Sequence, residues 1–219
     1  MLRALFEKTG NAAYISHLDL MRLFQRGFKR AGLPLTHTQG FNPRPSVSIA
    51  LPMSLGAESY CELLDFSLEG EIPDYGEIRD RLNEKLVEGV RVLQVYDGGE
   101  KLKNLALLQC RLTLEYDEGV PQNAGKELET LFSGESLTVE KKGKNGVSEQ
   151  DIIPLLRRIS IVAESGTELG IDALVHCQNP ALNPMQLVAA IRKYLPELAP
   201  DFVHCCRVEI FNESEEVFR

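Results

Sequence analysis

The sequence predicts an α+β protein made of two tandem ferredoxin-like units, each with the order β-α-β-β-α-β and an antiparallel sheet. Segments with alternating apolar residues are interspersed with segments whose apolar residues recur at helical spacing, and this order occurs twice. A hinge with two glycines at 97–101 separates the two occurrences. We therefore expect an N-terminal unit at 1–98, a C-terminal unit at 104–212 and an acidic tail at 213–219 that frays.

The first unit opens with an alternating strand and continues with a helix that has clear boundary signals. Ser16 is suited to cap this helix, and Gly32 followed by Pro34 is expected to end it. Pro73 opens a second helix with apolar residues at helical spacing. The expected strands are 2–8, 47–51, 60–68 and 90–96, and the expected helices are 17–31 and 73–86.

The second unit repeats this order and adds a lysine-rich turn at 141–146. A hairpin is predicted across 164–167, where a short polar segment separates two apolar ones. Asn183 and Pro184 are expected to begin the last helix. The expected strands are 105–116, 137–141, 157–163, 168–176 and 202–211, and the expected helices are 124–132 and 183–195.

Basic residues are concentrated near the N-terminus of a chain that is acidic overall. The formal net charge of −8 disfavours non-specific binding to nucleic acid. Residues 1–50, however, contain seven Lys or Arg and two Asp or Glu. No window reaches the roughly 18 apolar residues of a membrane span, and the N-terminal segment is charged too early for a signal peptide. We expect a cytoplasmic protein with one cationic face and no membrane contact.

The five cysteines do not follow a metal-binding or disulfide pattern. The C-x-x-C spacing of zinc ribbons and iron–sulfur clusters is absent, and most of the cysteines lie in apolar segments, which predicts buried thiols. His176 with Cys177, and His204 with the two cysteines after it, look like metal ligands. The strand order should nevertheless place the two groups at opposite ends of the sheet. We expect no disulfide, no metal and no cofactor.

The helix predicted at 17–31 has an apolar side and a cationic side, given about 100° of rotation per residue. Arg22, Arg26 and Lys29 follow one another on the cationic side at i, i+4 and i+7. Such a row is typical of phosphate contacts, and the alternative is a solvated outer face. The apolar side consists of Leu20, Met21, Phe24, Phe28 and Ala31.

The loop at 36–45 is rich in polar donors, and an ordinary strand-entry turn is the alternative to a binding loop. Arg44 lies between two prolines that restrict its backbone. Phe41 either stacks on a base or anchors the loop on the core. We expect the loop to pass close to His17 and to form an anion-sized pocket with the free amides at the helix start. The candidate binding residues of the loop are His37, Gln39, Gly40, Asn42 and Arg44.

His17 is a weak candidate for catalysis. Its imidazole either meets an anionic group beside the loop or packs on the loop and bonds a backbone carbonyl. No serine, cysteine or carboxylate stands at motif spacing from it, so a nucleophilic triad is not supported. Walker A, dinucleotide-binding and H-E-x-x-H patterns are absent. The residues therefore favour binding over catalysis.

Residues 4–68 resemble the N-terminal signature of the radical SAM-linked proteins, a family of unknown function. The resemblance rests on SHLDLMR at 16–22 and QGFNP at 39–43. Members typically occur as an extension of a radical SAM protein or as a chain encoded beside one. The resemblance implies a cytoplasmic bacterial protein that works with a radical SAM partner, and RNA is one of the substrates that it allows.

The chain is also similar, more weakly, to the CRISPR repeat-processing endoribonucleases. These tandem ferredoxin-like proteins have a comparable S-H-L-x-x-x-R helix and a glycine-rich loop near the C-terminus that grips RNA. Residues 201–219 contain no glycine, so ribonuclease activity is not carried over to this chain.

Three hypotheses follow, in order of preference. The first is a non-catalytic accessory module that holds RNA, such as tRNA or rRNA, for a radical SAM enzyme. The second is a protein-interaction module that docks the radical SAM partner without RNA, which suits the acidic body of the chain. The third is an RNA-processing or RNA-modifying enzyme that uses His17.

Overall fold

The chain folds into mostly antiparallel strands and four α-helices in the part that a computed structural model describes, residues 1–143, 146–163 and 165–219. The predicted α+β class is confirmed. The chain divides into two compact units, the first formed by residues 1–102 with 219 and the second by residues 103–218. Within the described ranges, no helix is both long enough and apolar enough to cross a membrane.

The first unit contains β1 (Leu2–Lys8), α1 (His17–Arg30), β2 (Val47–Ile49), β3 (Glu58–Phe66), α2 (Tyr75–Asn83) and β4 (Val90–Asp97). Its strands form an antiparallel sheet in the order β4-β1-β3-β2. Alternate residues of β1 point to one face, where Phe6 packs against Phe24 of α1 with ring centroids 4.8 Å apart. Both helices share one apolar core with this face.

The second unit contains β5 (Leu105–Glu115), α3 (Ala124–Phe132), β6 (Thr138–Gly143), β7 (Gly146–Asp151), β8 (Leu156–Ala163), β9 (Glu168–His176), α4 (Met185–Tyr194) and β10 (Phe202–Asn212). Four of these strands form an antiparallel sheet in the order β10-β5-β9-β8. The remaining two, β6 and β7, pair with each other and, among the described residues, with no other strand.

The hairpin of β6 and β7 differs from the predicted single strand at 137–141. Its register runs from Thr138 opposite Asp151 to Gly143 opposite Gly146. The Lys193 ammonium and the Tyr194 hydroxyl of α4 both donate to the Thr138 carbonyl at 2.9 Å, which ties the hairpin to the helix. Residues 144 and 145 of the predicted lysine-rich turn, and residue 164 of the predicted turn at 164–167, lie outside the described residues.

The acidic tail does not fray as expected. Val217 pairs with Phe211, and the Phe218 N–H donates to the Ile210 carbonyl at 2.9 Å. The Phe218 side chain is fully buried, and the burial of an aromatic ring stabilises the segment that carries it. The acidic residues of the tail favour fraying, but burial of the Phe218 ring outweighs them.

The two groups of His and Cys residues are separated along the second sheet, as predicted. His176 pairs with Leu107 near the start of β5, whereas His204 pairs with Thr113 near its end. At about 3.3 Å per residue, six residues of strand separate them by roughly 20 Å. Within the described ranges, no group of three or more His, Cys, Asp or Glu is placed to hold a metal ion.

The five cysteines form no disulfide in the part of the chain that the structure describes, and burial makes Cys110 and Cys177 poor nucleophiles. Burial raises the pKa of Cys110 to about 12 and that of Cys177 to about 11. Reactive and metal-binding cysteines need the opposite shift, since the thiolate is the reactive form. These thiols therefore act as small apolar core residues.

Candidate nucleic-acid interface

α1 begins at the predicted position because Ser16 caps its first turn. The Asp19 N–H donates to Ser16 Oγ at 3.2 Å, and the Ser16 hydroxyl donates to Asp19 Oδ2 at 2.7 Å. Hydrogen bonds from Ser16 and then from Arg22 lower the pKa of Asp19. The helix ends at Arg30, and Gly32 adopts the left-handed φ of 66° that the predicted helix stop requires.

The buried side of α1 determines which of its residues face water. Leu20, Phe24 and Phe28 are buried in the core of the first unit. Phe28 packs against Phe66 of β3 with ring centroids 4.8 Å apart. This close packing fixes the rotation of α1 on the sheet, and the opposite side of the helix is therefore exposed.

The exposed side of α1 carries the predicted row of cations. Arg22 Nη1 lies 3.0 Å from Asp19 Oδ1, so its charge is partly neutralised. Arg30 donates to the Lys85 carbonyl at 2.8 Å. Arg26 and Lys29 are exposed, and neither forms an ion pair with a residue in the described ranges. They are the two cations of this row whose charge is available to a ligand.

The loop at 36–45 is closed at its base by three hydrogen bonds. The Ser46 N–H donates to the Thr36 carbonyl at 2.7 Å, and the Thr38 N–H donates to the Arg44 carbonyl at 2.8 Å. The Arg44 N–H donates to Thr38 Oγ1 at 3.0 Å. The predicted donors Gln39, Gly40 and Asn42 at the far end of the loop are exposed, and so is Arg44 at its base.

Phe41 lies at the tip of this loop and its side chain is completely exposed, at 106% of the reference area. The interpretation of Phe41 as an anchor on the core is therefore wrong. Gly40 before it has a φ of 136°, which a glycine adopts readily and which lets the chain turn at the tip. An aromatic ring held in water on a closed loop is available for stacking.

A groove of about 430 Å³ lies between the base of this loop and the second half of α1. Its floor is apolar and includes the buried residues Phe28, Leu33 and Leu35 together with Pro34 and Pro45. Its rim is polar and consists of Gln25, Lys29, His37 and Glu69. His37 Nδ1 lies 3.7 Å from Glu69 Oε1 across the rim.

The base of the loop lies beside the C-terminal half of α1, where its residues line the groove. The segment after α1 runs beside the end of β3, because the Thr36 N–H donates to the Ser67 carbonyl at 2.9 Å and the Glu69 N–H donates to the Pro34 carbonyl at 2.8 Å. These two bonds place the base of the loop beside the C-terminal half of α1, away from its first turn. The anion-sized pocket at the helix start stays a prediction, and the groove is a second candidate site on this unit.

His17 is half-buried, and its side chain has no hydrogen bond or ion pair to any residue of the described ranges. The start of α1 lies beside the β2–β3 connection instead, where the Gly56 N–H donates to the Ala13 carbonyl at 3.0 Å. Three large apolar side chains stay mostly exposed in this region: Tyr14, Leu18 and Leu55. We call them the apolar patch.

Sequence reasoning missed Gln25 and Glu69 as candidate site residues. Gln25 lies between the two sides of α1, and Glu69 lies beyond the predicted strand, so neither has a periodic signal. They join the groove through the pairing of 34–36 with 67–69, which is a non-local contact. The apolar patch had a weak signal, since the β2–β3 connection is richer in apolar residues than most connections are.

Comparison with known proteins identifies the family of this chain. No curated protein matches this chain. Residues 1–184 match the model of a family described as an uncharacterized protein conserved in bacteria (DUF2344). The matched range includes α1, the loop at 36–45 and the groove. The chain therefore belongs to this family of conserved bacterial proteins.

Proposed function

We propose that this chain is a non-catalytic accessory module of a radical SAM enzyme and that it binds RNA, such as tRNA or rRNA. The radical SAM partner and the cytoplasmic location are inferred from the resemblance of residues 4–68. RNA binding is inferred from the exposed surface of α1 and the loop at 36–45. The observation that carries the proposal is the pair of exposed cations Arg26 and Lys29, which form no ion pair with a residue in the described ranges.

The spacing of these cations suits a polyanion. Residues three apart on a helix are neighbours, with side chains about 5–6 Å apart at their bases. Successive phosphates of a nucleic-acid strand can therefore each meet one cation. A net charge of −8 makes general attraction of RNA unfavourable, so binding depends on local contacts such as these.

Phe41 supports RNA in preference to other polyanions. A base that stacks on an aromatic side chain contributes about 1–3 kcal/mol in single-stranded complexes. The exposed ring of Phe41 has this use, and Gln39 and Asn42 beside it provide amide donors and acceptors. A free phosphate or a sulfated sugar has no aromatic face to meet the ring.

We also propose that both units are ferredoxin-like. In the first unit the strands occupy the order fourth, first, third, second, with both helices on one face. The main strands of the second unit occupy the same order. The hairpin of β6 and β7 is then an insertion between α3 and β8.

The surroundings of His17 support the proposed non-catalytic role. A general base needs hydrogen-bond reach to the proton that it abstracts, and a nucleophile needs an activating partner. Within the described ranges, His17 has neither a carboxylate nor a hydroxyl bonded to its ring. The chemistry is therefore assigned to the radical SAM partner.

RNA binding is tested with a labelled single-stranded RNA of about 12 nucleotides, a length that spans the site of one small binding domain. The double variant Arg26→Ala/Lys29→Ala should bind at least about tenfold more weakly at low salt, because two charge-assisted contacts are lost. The matched control Lys126→Ala/Arg192→Ala removes one exposed Lys and one exposed Arg from α3 and α4. Equal affinity of the two double variants would remove the basis of the proposal.

The apolar patch favours a second function, in which the chain docks a protein partner without RNA. Exposed apolar clusters on soluble proteins mark interaction sites. The variant Leu18→Ser/Leu55→Ser separates the two functions in a pull-down of the intact chain from bacterial cytoplasm. If this variant no longer captures a radical SAM protein but still captures RNA, the apolar patch binds the partner protein and α1 binds RNA. Capture of a radical SAM protein with no RNA by the wild type supports docking alone.

A further inference from the structure

We propose that the groove between α1 and the base of the loop binds the base of one unpaired RNA nucleotide. This inference rests on the proposed RNA binding and adds the form of the substrate. The ligand is single-stranded RNA, with one base in the groove and its phosphate on Lys29 and Arg26. Double-stranded RNA should not bind this site, because its bases are paired and cannot enter the groove.

The groove has the size and lining that a base requires. Its volume of about 430 Å³ is within the range of roughly 300–1,000 Å³ that small-molecule sites occupy. The floor formed by Phe28, Leu33 and Leu35 is apolar and buried, which suits the flat face of a base. The Glu69–Pro34 and Thr36–Ser67 backbone hydrogen bonds hold the floor in place, so little ordering is needed on binding.

The polar rim is placed to meet the edge of a base. Unpaired bases are recognised through hydrogen bonds to their edges and through stacking. The Gln25 side chain offers both an amide donor and a carbonyl acceptor, and Glu69 offers a carboxylate acceptor. A carboxylate prefers bases with amino groups, so uracil should bind least well.

The charges around the groove determine how the bound nucleotide is oriented in it. Lys29 lines the rim and also belongs to the cation row, and Arg26 lies one turn away on the same exposed face. Glu69 repels phosphate and lies by His37 at the other rim. The phosphate therefore lies on the α1 side and the base edge on the Glu69 side.

The first test blocks the groove without changing its charge. Gln25→Trp places a large side chain on the rim, and Glu129→Trp adds the same residue at an exposed position of α3 as a control. Gln25→Trp should weaken binding of a mixed single-stranded RNA of about 12 nucleotides by at least fivefold, as loss of one stacked base predicts. The control should bind as the wild type does, and a blunt RNA duplex should bind more weakly than the single strand.

The second test uses the wild-type chain and does not depend on a variant that folds. A base over the floor should shift the methyl resonances of Leu33 and Leu35 through its ring current when the single-stranded RNA is added. Unshifted methyls at saturation would overturn the groove as the site. The inference is also overturned if adenosine monophosphate shifts these methyl resonances and the RNA does not, since the groove then binds a free nucleotide.

The failures of the two proposals are distinguishable. If Gln25→Trp binds RNA as the wild type does while Arg26→Ala/Lys29→Ala loses affinity, the groove inference is wrong and RNA binding stands. If the wild type binds neither the single strand nor the duplex at low salt, RNA binding itself is wrong and the groove inference fails with it.

Discussion

At the scale of single residues, the buried ion pair of Arg3 and Asp65 connects the adjacent strands β1 and β3 of the first unit. Arg3 Nε and Nη2 donate to the two Asp65 oxygens at 2.6 and 3.1 Å, and Nη1 donates to the Glu100 carbonyl at 2.8 Å. Burial opposes the charge on Arg3, but the hydrogen bond and charge of Asp65 outweigh burial and raise the pKa of Arg3. Bidentate geometry of this kind favours Arg over Lys.

Arg3→Met should destabilise the first unit by about 3–5 kcal/mol, because it leaves the Asp65 carboxylate buried without its partner. The double variant Arg3→Met/Asp65→Leu should be clearly more stable than Arg3→Met, since it leaves no unpaired charge at this position. Native-state hydrogen exchange of the β1 and β3 amides measures both variants. A double variant that is no more stable than Arg3→Met would mean that the two side chains contribute independently.

At the scale of elements, the cap of α1 stabilises the helix that presents the cations. Ser16→Ala removes the acceptor for the Asp19 N–H and should cost about 1 kcal/mol, whereas Ser16→Thr keeps a hydroxyl cap and should cost less. Because the pKa of Asp19 is lowered on folding, its contribution is present at neutral pH and is lost as the pH falls through the folded pKa. In Ser16→Ala, nuclear magnetic resonance should therefore show a higher pKa for Asp19. An unchanged pKa, or equal stability of the two variants, would contradict this description of the helix start.

The elements that the sequence predicts well are those with local signals. The apolar spacing of Leu20, Phe24 and Phe28 and the cap at Ser16 are both read within one helix, and α1 has the predicted bounds to within a residue at its C-terminus. β7 was missed because its residues, 146–151, are polar and largely exposed and show no alternation. A strand that is exposed on both faces has no buried side, so its sequence does not show alternating apolar residues.

The candidate site was only partly predictable for the same physical reason. The cation row is a property of one helix, so its residues and its exposed side follow from spacing. The position of the loop depends on the pairing of 34–36 with 67–69, which brings together residues about thirty positions apart. Whether Phe41 is buried also depends on the position of the loop, which the sequence does not predict. In the structure the loop leaves this ring exposed to water.

At the scale of the whole molecule, the distribution of charge matters more than its total. The chain carries −8 overall, while residues 1–50 contain seven basic and two acidic residues. RNA that binds such a protein is attracted by a few local contacts and repelled by the rest of the surface. Non-specific binding of RNA should therefore be weak, and RNA affinity should depend strongly on salt concentration.

Salt dependence of RNA binding to the intact chain measures those contacts directly. For single-stranded RNA, the logarithm of affinity falls with the logarithm of salt concentration by about 0.7 per neutralised phosphate. The slope of Arg26→Ala/Lys29→Ala should be smaller than that of the wild type by about 1.4, which corresponds to two lost contacts. Lys126→Ala/Arg192→Ala should keep the wild-type slope. A wild-type slope that both double variants share would show that the exposed side of α1 does not bind RNA.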